Sequence, residues 1–225
     1  MATRFYFPGD TLPSAPVSPS FDGGWEQTGG AVRSILIRKG YWTETSANSS
    51  SITIPITTTQ DILNYQLISE PIRNQTISGT ISLVVRCSTN DITTATTLAV
   101  VAKVVSNDGS TSRGTLFSVF GTDSNYPVDA SPATRIVNAQ ALTPLTCEFG
   151  DRIVVEVGTR ATAPAVAGTA IQRRISAIGT ADYALTSGLT TSLNPWVEFS
   201  TDLWGTGLRS NKGIRPRAFA PGLAR

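Results

Sequence analysis

A chain of 225 residues with 40% hydrophobic and only 15% charged residues is too apolar and too weakly charged to stay disordered, and it is long enough to enclose a core without disulfides or metals. Histidine is absent, which removes the Ser-His-Asp and Cys-His schemes of nucleophilic catalysis together with histidine-based metal sites. The net charge of +2 conceals an asymmetry: five of the 18 basic residues and none of the 16 acidic ones lie in 208–225, so the positive charge belongs to the tail and the rest is net acidic.

The start, Met1-Ala2-Thr3-Arg4-Phe5, lacks the charged and apolar regions of a signal peptide, and no apolar run approaches a membrane span. The simplest expectation is a soluble protein made in a cytoplasm. Residues 1–31 read as an extended arm, because Pro8, Pro13, Pro16 and Pro19 interrupt any ladder or helix. A solvated linker would be poor in aromatics, whereas this segment carries Phe5, Tyr6, Phe7, Phe21 and Trp25. It is expected to lie on a surface, either its own domain's or a neighbour's, with those five residues as candidate partner contacts.

From residue 33 the pattern has a period of two, the signature of half-buried strands. Short strands are expected at 34–38 and 52–56, the second confined to an edge or bulge by Pro55. A longer one spans 76–87, where Ile77, Gly79, Ile81, Leu83, Val85 and Cys87 share a face. Leu98, Val100, Ala102 and Val104 repeat the pattern, and Ser106-Asn107-Asp108-Gly109-Ser110 turns the chain back through 113–117 as a hairpin. Residues 121–144 read as a long connection with one short strand at 135–137. Gly150-Asp151 then makes a tight turn into a strand whose Ile153, Val155 and Val157 face inward. A loop at 161–168, a strand at 171–178 and a closing strand at 194–200 complete the chain.

About nine or ten strands without helical crossovers imply an all-β fold, an antiparallel β-sandwich of jelly-roll type over 32–204. Cys87 and Cys147 read as free buried thiols in a chain with no secretion signal.

Little in the sequence carries chemistry. No Gly-rich phosphate loop opens a helix, and two cysteines cannot form a four-cysteine zinc site. No cofactor or metal is expected. Glu148, Asp151, Glu156 and Glu198 are the acids closest to the strong strands and the remaining route to a glycosidase-like carboxylate pair. The blander account has Asp151 organise a turn while Glu156 and Glu198 sit on a solvated face. Trp196 and Phe199 could pave a sugar platform, with burial in the core the favoured alternative. In the basic tail, 205–225, Arg209, Lys212, Arg215 and Arg217 alternate with Leu208, Ile214, Phe219 and Leu223. That mixture favours docking on a protein over nucleic acid.

Several segments together resemble a known group of proteins: Ala2-Thr3-Arg4-Phe5-Tyr6-Phe7-Pro8, Pro16-Val17-Ser18-Pro19, Val105-Ser106-Asn107-Asp108-Gly109-Ser110 with Arg113-Gly114-Thr115-Leu116, Gly150-Asp151-Arg152-Ile153-Val154-Val155-Glu156-Val157-Gly158, and Asn194-Pro195-Trp196-Val197-Glu198-Phe199-Ser200. They are similar to structural proteins of tailed bacteriophages, cyanophages among them, and within that group to jelly-roll capsid decoration or cement proteins. The basic extension after Leu203 departs from the family's pattern. The resemblance implies a non-enzymatic virion protein on the capsid surface, made in the host cytoplasm. It would bind the major capsid protein and sister copies of itself, in a homo-oligomer such as a trimer, with no membrane partner. The alternative expectation is a tail- or fibre-associated receptor- or glycan-binding module using loops 121–144 and 159–170.

Overall fold

In the computed structural model, the described residues are 2–7, 14–38, 49–53, 58–87, 96–125, 133–161, 170–174, 181–191, 193–203 and 205. None of them is helical, so the chain is all-β. In order the strands are β1 (Thr3–Tyr6), β2 (Val32–Ile35), β3 (Ser49–Thr53), β4 (Gln60–Ile68), β5 (Gln75–Ile77), β6 (Thr80–Cys87), β7 (Thr96–Val105), β8 (Ser112–Asn125), β9 (Ala133–Ala141), β10 (Leu145–Cys147), β11 (Arg152–Ala161), β12 (Ala170–Arg174) and β13 (Trp196–Phe199). They form a four-stranded sheet, β1-β13-β6-β9, a five-stranded sheet, β2-β4-β11-β7-β8, and two small pairs, β5 with β10 and β3 with β12.

One core serves both large sheets. Phe5, Leu83, Val85, Val137, Val197 and Phe199 from the four-stranded sheet share a cluster with Tyr65, Leu67, Val100, Ala102, Val104, Ile153, Val155 and Val157 from the five-stranded one. The alternation read in 98–104 and 153–157 therefore points where expected.

Segment 32–37 links the layers. β2 pairs with β4 in parallel, contrary to an all-antiparallel expectation. Leu36 N–H still donates to Ile68 O, and Ile37 then exchanges two backbone bonds with Tyr6 of β1.

Other expectations need correction. Gly79 is not part of a continuous core face. It has φ +85°, separates β5 from β6, and a side chain there would overlap the Ser200 hydroxyl. Residues 121–144 are mostly strand: β8 runs on to Asn125 and β9 covers Ala133–Ala141. The strands expected at 52–56 and 171–178 coincide with β3 and β12 only through residues 53 and 174, and residues 54–56 and 175–178 lie outside the described residues.

β4 is not expected from the sequence. Asp61, Asn64, Gln66 and the following Ser69 break its apolar pattern, yet from Asp61 to Ile68 every residue is buried. Its inner face meets the core. Its outer face, with those of β7 and β11, lies beneath residues 14–27, which run across the sheet as a strap. Ala15 and Val17 pack on Ile68, Val105 and Val154. Phe21, Trp25 and Ala31 pack on Leu63, Ala99, Val101 and Phe120. Burial on both sides is why β7 and β11 read as nearly unbroken apolar runs.

Candidate functional site

The candidate partner contacts near the N-terminus belong to the domain itself. Phe5 and Phe7 are fully buried, while Tyr6 and Trp25 are each only 7% exposed. β1 is a full member of the four-stranded sheet, paired with β13 from Thr3↔Phe199 to Tyr6↔Trp196. Residues 3–7 thus belong to the folded unit and not to a free arm, and their burial removes them as contacts for a neighbour. Phe21 is half-buried, with the Arg33 guanidinium 4.1 Å above its ring. Arg209, Lys212, Arg215 and Arg217 lie outside the described residues.

The four acids fall in three separate places, Glu148 and Asp151 sharing one of them. Glu156 follows Val155 and precedes Val157, both core-facing, so it points to the outer side of the five-stranded sheet. It is completely buried there under the strap, not solvated. Lys103 Nζ pairs with it at 2.8 Å, Gln66 Nε2 donates at 2.9 Å, Trp25 Nε1 at 2.6 Å and the Asp22 backbone N–H at 3.1 Å. A buried carboxylate is tolerable only with such a set of donors. Lys103 and Gln66 also donate to the strap carbonyls of Ser20 and Pro19.

Glu198 lies between the core residues Val197 and Phe199 and faces out from the other sheet. It is half-exposed and bound by Arg4, whose Nη2 lies 2.8 Å away and whose Nη1 reaches Asp182 at 2.9 Å. Arg4 stacks 4.0 Å over Trp196. Tyr6 donates to Asp182 at 2.8 Å, and burial first, then this bond, pushes its hydroxyl up to about 12. Trp196 and Phe199 are themselves buried, the favoured account of the two. Since packed sheets lie roughly 10 Å apart and Glu156 and Glu198 project away from each other, they cannot form the roughly 5–9.5 Å couple of a glycosidase.

Glu148 and Asp151 share a turn. Asp151 accepts the Glu148 backbone N–H at 2.8 Å, and Arg113 ties Asp151 (3.3 Å) to Glu148 (2.5 Å). Asp151 is therefore a turn organiser, as the blander account has it. Both cysteines are buried free thiols. Burial and the Asp151 charge push the Cys147 thiol up to about 11, a state of low nucleophilicity. Among the described residues no group of three His, Cys, Asp or Glu could hold a metal ion, and no helix is long and apolar enough to cross a membrane.

Two surface features escaped the sequence reading. Phe149, just before the Gly150-Asp151 turn, is the one large apolar side chain exposed among the described residues. Beside its turn is a cleft of about 330 Å³ between the 35–38 segment, Ser69–Pro71, Pro16 and Arg152. The signal for Phe149 was available: the residue before a Gly-Asp turn sits at the turn's tip, not in the ladder.

No family model matches this chain, and no curated protein matches it either. Among solved structures it is similar to a CocE/NonD family hydrolase from Staphylococcus aureus, with a TM-score of 0.48 and 10% identity, over 89% of this chain and 36% of that one.

Proposed function

We propose that the chain is a jelly-roll β-sandwich that acts as a non-catalytic capsid decoration (cement) protein of a tailed bacteriophage. The strand order supports the fold half of this reading. A jelly roll is a long antiparallel hairpin of eight strands rolled up, so that its first strand pairs with its last and so on inward. Taking β1, β4, β6, β7, β8, β9, β11 and β13 as those eight, the nested pairs β1·β13, β4·β11, β6·β9 and β7·β8 are all present and antiparallel. Rolling then adds β13·β6 and β11·β7, which are also present.

The observation that carries the functional half is how the phage-like segments meet. The first of these segments pairs with the last, Thr3–Tyr6 of β1 in register with Trp196–Phe199 of β13. The 105–116 hairpin joins 150–158 through Arg113 to Asp151 and through Arg152 Nε to Asn107 O at 2.8 Å. Pro16-Val17-Ser18-Pro19 lies in the strap over that same sheet. The resemblance thus falls on the frame, as a kinship of structural proteins would. The acids nearest the strong strands are engaged in holding the frame together.

With residues 3–7 used internally, attachment to the major capsid protein falls to the outer surfaces and the basic tail. The experiment is a copy count in purified particles. Near-stoichiometric amounts relative to the major capsid protein support a decoration role, a handful indicate a tail or fibre module, and absence overturns both.

A further inference from the structure

Phe149 is 71% exposed, at the tip of a turn that is anything but loose. Gly150 takes φ +96°, its N–H donates to Ile72 O at 2.8 Å, and Ile72 N–H returns a bond to Asp151 O at 2.8 Å. Asp151 and Arg113 fix the turn from inside. A rigid aromatic held out in solvent loses little further freedom on contact, which is the property of an interface anchor.

The cleft next to it is an apolar receptacle. Ile35, Ile37, Pro16 and Pro71 supply walls to a volume of about 330 Å³, ample for a benzyl group. Arg152 stands at its margin. Its guanidinium donates only to two neutral carbonyls, Asn107 O at 2.8 Å and Ser69 O at 3.0 Å, and no carboxylate pairs with it among the described residues. Glu148, beside Phe149, is paired with Arg113 on one oxygen and keeps a side chain 71% exposed. Knob and cleft are close neighbours: Arg152, which lines the cleft, follows Phe149 by three residues across the turn, a separation below the ~10 Å that three residues span when fully extended.

We propose that a second copy of this chain occupies the cleft, in a two-fold dimer where each Phe149 enters the partner's cleft and each Glu148 approaches the partner's Arg152. Side-by-side knob and cleft are what a two-fold axis requires, since one rotation satisfies both contacts at once in a self-complementary patch. An unrelated protein would have to present its own knob and its own pocket at matching spacing. The inference goes beyond the capsid reading and stands or falls separately from it, because it concerns the purified chain.

Sedimentation equilibrium of the full chain tests it. The chain is expected to dimerise, and Phe149→Ala to weaken the dimer at least about tenfold, as truncating an anchor does, with an unchanged urea midpoint when both chains are unfolded at concentrations where they are monomeric, because the side chain is exposed there. A photoreactive benzoylphenylalanine at position 149 is expected to give a covalent dimer cross-linked to residues 35–38 or 69–71. A chain that stays monomeric up to about 1 mM, an oligomer indifferent to Phe149→Ala, or cross-links elsewhere would overturn the proposal.

Discussion

The indole N–H of Trp25 donates to Glu156 Oε2 at 2.6 Å, joining a strap residue to a carboxylate 131 positions later in the chain. On its other oxygen Glu156 carries Lys103 at 2.8 Å, and both ions are buried, Glu156 completely. The strap is therefore attached by a buried ion pair as well as by its apolar side chains, and that pair is costly to break from one side only.

Glu156→Gln leaves the Lys103 ammonium buried without its counter-charge, and the expected loss is about 3–5 kcal/mol. Adding Lys103→Met removes the stranded charge and should recover much of it. Urea unfolding of the two variants, followed by tryptophan fluorescence, checks this. Equal destabilisation of the single and double variants would contradict it.

Deleting residues 2–7 should unfold the domain, because Phe5 and Phe7 are core residues and β1 pairs with β13. Phe5→Ala alone should cost about 3–5 kcal/mol, as for other buried aromatics. Far-ultraviolet circular dichroism of the truncated chain and a thermal melt of Phe5→Ala are the measurements. A folded truncated chain would restore residues 3–7 to the status of a free arm.

The strongly apolar strands β7 and β11 were legible in the sequence. Leu98, Val100, Ala102 and Val104, with Ile153, Val155 and Val157, are the sets that period two turns to the core, and the hairpin shows itself through Asp108-Gly109, with Gly109 at φ +77°. What alternation could not show was the strap. Lys103, Gln66 and Glu156 look like solvent-facing residues until the Pro19 and Ser20 carbonyls and the Trp25 indole are brought over them, contacts separated by up to 131 positions. β4 was lost for the same reason, since polar residues paired to another part of the chain read as loop. Ala99 and Val101 were the available clue: apolar residues on both faces of a strand mean both faces are covered.

Asp108 gives a pH dependence. The Ser106 hydroxyl, then the Ser110 N–H and hydroxyl, hold its carboxyl down at about 2, from 3.8. A carboxyl depressed in the folded state stabilises fully above its unfolded value, so this contribution is complete above about pH 4 and disappears as pH falls through about 2. Asp108→Asn should flatten that part of the stability curve while leaving the shape above pH 5 unchanged. Melting temperatures between pH 1.5 and 6 compare the two. An identical acid limb would place the dependence elsewhere.

Gly158 sets how closely the strap can approach. It follows the point where the β11 and β4 registers slip between Val157 and Gly158, leaving Asn64 as the extra residue. A Cβ there would overlap the Ile62 carbonyl oxygen and lie 2.6 Å from the Trp25 ring. Gly158→Ala must therefore displace both a backbone group and the strap's main aromatic, and the expected cost is at or above the upper end of the ~1–3 kcal/mol typical of overpacking. The two clashes are separable. Combining Gly158→Ala with Trp25→Leu removes the ring overlap and leaves the carbonyl one, so a double-mutant cycle in urea should return a favourable coupling that recovers part, and not all, of the loss. Strict additivity would mean that the Trp25 ring does not rest on Gly158.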